Sequence, residues 1–149
     1  MTLKEQLTED MKQAMKAKEA GKLRLSVIRM VRAAVKNVEI DGKKELGEEE
    51  VQAIIAKEVK MRKDSMEEFK KGNREDLVKQ LEREIEVLLP YLPQQLTEEE
   101  IRALVAQAIA ESGASSAKEM GKVMAILMPK VKGRADGKTV NTLVRAALQ

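Results

Sequence analysis

Apolar residues recur along this chain at spacings of three and four rather than in alternation. Leu77, Leu81, Ile85 and Leu88 form one stripe, and Val140, Leu143, Val144 and Ala147 another. Val51, Ile54, Ile55, Val59, Met66 and Phe69 form a third. Such spacing places side chains on one face of a helix, whereas a half-buried strand would alternate. Between the stripes the chain is rich in Ala, Leu, Glu, Lys, Gln, Arg and Met, which lose little rotamer freedom in a helix. The pattern predicts seven helices, over 2–19, 22–40, 48–71, 74–89, 97–112, 116–128 and 137–148, and an all-α fold.

Local chemistry at the predicted ends supports these elements. Thr2 with Glu5, Thr97 with Glu100 and Ser116 with Glu119 each fit a capping box, in which side chain and backbone at a helix start satisfy one another. Asn73, ahead of Arg74-Glu75-Asp76, predicts an N-cap followed by acids that complement the helix dipole. Pro129 and Gly133 are expected to end the sixth helix. Gly121 sits inside that helix at a cost of about 1 kcal/mol, which predicts close approach of another backbone. The strongest break is Pro90-Tyr91-Leu92-Pro93, because two prolines so close cannot lie within one continuous helix. The expected organisation is a helical N-terminal domain of about four helices over 1–90, a Pro-containing linker over 91–96 and a compact three-helix C-terminal domain over 97–149. Tyr91 and Leu92 read as packing anchors.

Composition narrows the chemistry. The core must be aliphatic, because Phe69 and Tyr91 are the only aromatic residues, and nine Met residues supply adaptable filling. The absence of Cys removes disulfides and thiolate nucleophiles, and the absence of His removes the commonest general base and metal ligand. Glu48-Glu49-Glu50 and Glu98-Glu99-Glu100 stand at helix starts, where they read as dipole partners rather than an acid/base pair. Gly42-Lys43-Lys44 and Gly137-Lys138-Thr139 lack the spacing of a phosphate loop. Ser115, Ser116 and Lys118 read as helix-start chemistry rather than a Ser/Lys hydrolase. No catalytic residue, metal ligand or cofactor is therefore expected. The N-terminus shows no signal-peptide core and no apolar run reaches spanning length, so a cytoplasmic location without a membrane partner is expected.

Charge distribution then singles out the C-terminal segment. The whole chain carries +3, but Gly113–Gln149 holds seven basic residues against two acidic ones, a local charge of +5. Lys130, Lys132 and Arg134 lie in or beside the predicted turn, and Lys122 precedes them on the sixth helix. On the last helix Lys138, Asn141, Thr142 and Arg145 form a polar stripe, with Asp136 as its predicted cap. Cations arrayed beside a helix N-terminus suit phosphate binding. Lys122, Lys130, Lys132, Arg134, Lys138 and Arg145 are thus the candidate RNA-binding residues. Without aromatic residues to stack on bases, such contacts would read backbone and shape. A secondary basic face, Lys22, Arg29, Arg32 and Lys36, lies opposite Ile28, Val31, Val35 and Val38 on the second helix; it reads as a phosphate grip or as a solvated face. Arg24 instead aligns with Ile28, Val31 and Val35, which predicts a carboxylate partner at a domain contact or a place in a cleft.

At these residues the chain resembles a known family. The segment Gly121-Lys122-Val123-Met124, Lys132-Gly133-Arg134-Ala135-Asp136-Gly137, Val140-Asn141 and Val144 resembles the tail domain of the B subunit of glutamine-dependent tRNA amidotransferases. The whole chain resembles the YqeY family, free-standing relatives of that tail, with further matches at Arg24-Leu25-Ser26-Val27-Ile28-Arg29-Met30 and Tyr91-Leu92-Pro93-Gln94-Gln95-Leu96. The resemblance implies a helical N-terminal part, a three-helix tail and a tRNA-holding role. It also implies a filing with carbon–nitrogen ligases that use glutamine as amido donor, although the residues present do not support independent ligase chemistry. Three expectations stand in order: a non-catalytic module binding tRNA or another structured RNA, an adaptor for a translation or amidotransferase protein, and an accessory ligase.

Overall fold

The computed structural model describes all residues, Met1–Gln149, and is all-helical. The helices are α1 (Leu3–Lys16), α2 (Lys22–Gly42), α3 (Glu48–Lys71), α4 (Glu75–Leu88), α5 (Glu98–Ser112), α6 (Met120–Val131) and α7 (Gly137–Ala147). Short 3-10 turns lie at Lys18–Gly21, Leu89–Tyr91 and Ala117–Glu119. No helix is long and apolar enough to cross a membrane. The chain forms two compact units, Met1–Leu92 and Pro93–Gln149.

In the first unit α1 packs on α2 and α3 on α4. Ile28, Val31, Val51, Ile55 and Leu88 are fully enclosed, so truncating Ile28, Ile55 or Leu88 to Ala would cost about 2–5 kcal/mol. Charge is buried here too. Arg62 on α3 donates through Nε to Glu84 Oε1 of α4 at 3.0 Å and through Nη1 to the Glu58 carbonyl at 3.1 Å. Its Nη1 also lies 3.5 Å from Glu58 Oε1, so one guanidinium serves two carboxylates. Tyr91 belongs to this core, and Leu92 packs against it.

The second unit is built from α5, α6 and α7 around Ile101, Val105, Val123, Leu127, Val140 and Val144. Residues 93–96 pack within it. Leu96 N–H donates to the Arg134 carbonyl at 2.8 Å, Gln95 Nε2 donates to the Gly133 carbonyl at 2.9 Å, and Leu96 joins the partly buried apolar shell.

Several local expectations are corrected. Thr2 and Thr97 form capping boxes with Glu5 and Glu100, but Ser116 forms none: its side chain makes no cap bond, and the chain enters a 3-10 turn there. Asn73 is not an N-cap. It takes a left-handed φ of 56°, while its N–H bonds the Lys70 carbonyl and the Arg74 N–H bonds the Phe69 carbonyl, closing α3 in a Schellman motif. Pro129 does not end its helix; α6 runs on to Val131. The ring removes one N–H near the helix end, Pro129 and Ala125 one turn before it are both exposed residues, and continuing lets Val131 reach the core at 1% exposure.

Glycine roles also differ from expectation. Gly121 opens onto free space, with nothing within 4 Å of where a Cβ would stand, so no backbone approaches it. The close approach is at Gly21, where a Cβ would fall 2.2 Å from the Ala14 carbonyl oxygen. The first helix accordingly stops at Lys16 rather than at 19: Lys18 turns left-handed (φ 52°) and the 3-10 turn presses Gly21 onto α1.

Candidate nucleic-acid interface

The α7 surface is set by two opposed stripes. Val140 and Val144 are fully buried, which orients Lys138, Asn141, Thr142 and Arg145 outward. Asp136 caps the helix, accepting from Lys138 N–H at 3.3 Å, and Thr142 Oγ1 donates to the Lys138 carbonyl at 2.9 Å. These four residues line one shallow concavity of about 460 Å³ with Ala146 and Gln149. The result is an open surface with two cations and three neutral polar side chains, Asn141, Thr142 and Gln149, able to meet phosphate and ribose oxygens.

The other predicted cations are not equivalent to this pair. Lys132 and Lys122 are exposed, but neither lines the concavity. Lys130 Nζ faces Glu111 Oε1 at 3.6 Å, both groups well exposed, so the ion pair is weak. Arg134 is partly withdrawn: its Nε donates to the Gln94 carbonyl at 3.2 Å while its own carbonyl accepts from Leu96. It ties the entering segment to the α6–α7 turn and is a structural residue first.

On the first unit Arg29, Arg32 and Lys36 line a common groove, whereas Lys22 lies outside it. Arg24 finds its carboxylate within its own unit, not at a domain contact: Nη2 lies 3.4 Å from Asp10 Oδ1 on α1. Asp10 is buried, accepts from Gln6 Nε2 at 2.9 Å and receives the Tyr91 hydroxyl on its other oxygen. Burial, and then the bond to Asp10, push the Tyr91 hydroxyl above its ordinary range. Arg24 is half-exposed and lines a cleft of about 710 Å³ with Leu23, Arg83, Val87 and Pro90. Asp10 was not singled out from the sequence. Its signal was an acid aligned with Leu7 and Ala14, the buried apolar positions of α1.

The model of the family described as Yqey-like protein matches residues 4–148. This chain belongs to the YqeY family. It is similar to the "Altered inheritance of mitochondria protein 41, mitochondrial" of Kluyveromyces lactis, 37% identical over 145 residues, covering 95% of this chain and 73% of the relative. The protein of the same name from Lachancea thermotolerans is 43% identical over 108 residues, 70% of this chain and 57% of the relative. That of Pyrenophora tritici-repentis is 35% identical over 133 residues, 87% and 71% respectively. The aligned segments span 57%, 73% and 71% of the Lachancea, Kluyveromyces and Pyrenophora proteins, so the chain matches only part of each. The expectation of a cytoplasmic location is corrected here: it rested on the lack of an apolar leader, while these relatives are all named as mitochondrial proteins.

Proposed function

We propose that this YqeY-family chain is a non-catalytic module that binds structured RNA, tRNA foremost, through the phosphate backbone. The observation that carries the reading is the α7 concavity, where Lys138, Asn141, Thr142 and Arg145 converge on one open surface. Lys138 and Arg145 stand seven positions apart, about 10 Å along the helix, so they reach different phosphates of one strand. Lys132 in the preceding turn adds a third exposed cation and Lys122 a fourth. Lys130 and Arg134 take lesser parts because Glu111 and the Gln94 carbonyl already engage them.

The test is a salt series of binding to bulk tRNA. The affinity should fall linearly with salt on logarithmic axes. A variant with Lys132→Glu, Lys138→Glu and Arg145→Glu should bind at least about tenfold more weakly, with a salt slope shallower by about three. All three positions are exposed, so far-UV circular dichroism should not change. Equal affinity in the variant would overturn the assignment. A second reading, a protein adaptor, is favoured by one feature: an apolar groove of about 540 Å³ lined by Val105, Ala106, Ile109, Leu143 and Ala147. A partner retained on the chain after ribonuclease treatment, and lost on Leu143→Glu, would support it over the RNA module.

A further inference from the structure

The first unit contains a cation that lacks the counter-ion its surroundings call for. Arg32 on α2 is partly buried, and its Nη1 lies 2.8 Å from the Met11 sulfur of α1. A thioether is only a weak, uncharged acceptor. Withdrawing a guanidinium from water without an opposing anion is costly. The other inward-turned arginines of this unit do not stand in that position: Arg62 meets Glu58 and Glu84, and Arg24 meets Asp10.

Arg32 opens onto a groove of about 560 Å³ between α1 and α2, where Lys4, Arg29 and Lys36 supply further positive charge. Two carboxylates, Glu39 and Glu45, also line it. Glu39 is already engaged: Lys4 Nζ lies 2.5 Å away and Leu46 N–H donates to it at 2.9 Å. Those two bonds hold its carboxyl below the usual range. Glu45 is exposed at the rim and draws on Lys4 as well. Lys36 draws on Glu39 as well, yet the groove sets the four cations Lys4, Arg29, Arg32 and Lys36 against two carboxylates, a surplus of positive charge. Arg29, Arg32 and Lys36 recur at three and four positions along α2, the spacing that aligns side chains on one face.

We propose that this groove is a second anion site, distinct from α7, in which Arg32 grips a phosphate group flanked by Arg29 and Lys36. The planar guanidinium fork matches phosphate oxygens two at a time, which a thioether contact leaves possible on its remaining nitrogens. The phosphate can belong to a free phosphorylated compound or to an RNA strand; the recognition chemistry is the same. The site shares no residue with the α7 surface, so the two assignments fail separately.

The full chain is titrated with inorganic pyrophosphate by calorimetry at constant ionic strength. Binding is expected, and Arg32→Met, which keeps apolar packing on Met11, should weaken it at least about tenfold. Arg32→Lys, with the charge but not the fork, should fall between. A Lys138→Glu/Arg145→Glu variant, which removes the α7 cations, should keep the Arg32-dependent part of the binding. If Arg32→Met fails to fold, the exposed pair Arg29→Glu/Lys36→Glu takes its place and must lose binding. No binding by the unaltered chain, or undiminished binding by Arg32→Met or by Arg29→Glu/Lys36→Glu, overturns the site. Displacement of pyrophosphate by tRNA identifies RNA phosphodiesters as the source; retention of pyrophosphate against tRNA identifies a free phosphorylated compound.

Discussion

The two units use the same charged residue types in opposite ways. Met1–Leu92 buries Asp10, Glu58 and Arg62 inside or beside its apolar core, whereas the buried residues of Pro93–Gln149 are all apolar. In the first unit ionic groups pin one helix to another: Arg62 joins α3 to α4, and Asp10 joins α1 to Arg24 and Tyr91. In the second, an aliphatic core orients α7, and the cations of that helix, Lys138 and Arg145, remain at the surface. A positive residue on an amphipathic helix is thus a structural tie or a ligand contact depending on whether a carboxylate waits across the interface. Arg32, turned inward without such a carboxylate, falls between the two and draws attention to its groove.

The contrast can be broken most severely at Arg62. Arg62→Ala leaves buried Glu58 and part-buried Glu84 without their cation and should cost about 3–5 kcal/mol, read by urea unfolding. A loss no larger than that of an exposed pair, such as Arg102–Glu98, would refute the structural role. Gly21→Ala comes next, at about 1–3 kcal/mol or more, because its Cβ would collide with the Ala14 backbone. Tyr91→Phe removes the hydroxyl that satisfies buried Asp10 and should cost about 1–3 kcal/mol by the same measurement. The smallest effect has the opposite sign: Gly121→Ala, in a helix and facing open space, should stabilise by about 0.5–1 kcal/mol. Destabilisation there would mean a backbone neighbour after all.

Tyr91 also gives the first unit a pH signature. Its folded pKa is raised, so its neutral form is favoured by folding; that contribution is intact below the unfolded value of about 10 and is lost as pH rises toward the folded one. Stability should therefore fall in alkali, and Tyr91→Phe should flatten that part of the decline. As the single tyrosine, Tyr91 should ionise in ultraviolet titration only well above pH 10 while the chain stays folded. Ordinary titration near 10 in the folded chain would contradict its bond to Asp10.

Much of the fold was legible because its signals are short-range. The stripe through Leu77, Leu81, Ile85 and Leu88 and the boxes at Thr2 and Thr97 act within one or two helical turns. The misreadings arose where a second element intervened. Asn73 looks like an N-cap until α3 is seen to need a left-handed residue at its end. Pro129 looks like a terminator until Val131 is seen in the core. Of the candidate site, the α7 stripe was readable because one helix carries it. The loss of Arg134 to Gln94 was not, since those residues lie far apart along the chain.

By itself the sequence determined the helical class, the approximate helix limits, the aliphatic character of the core and the polar stripe of α7, all consequences of periodicity and local hydrogen bonding. Only tertiary structure decided which charges are consumed and which are offered. Arg24 and Arg62 differ from Lys138 and Arg145 not in composition but in what packs opposite them, because a charge's role depends on its counter-ion and its exposure to water.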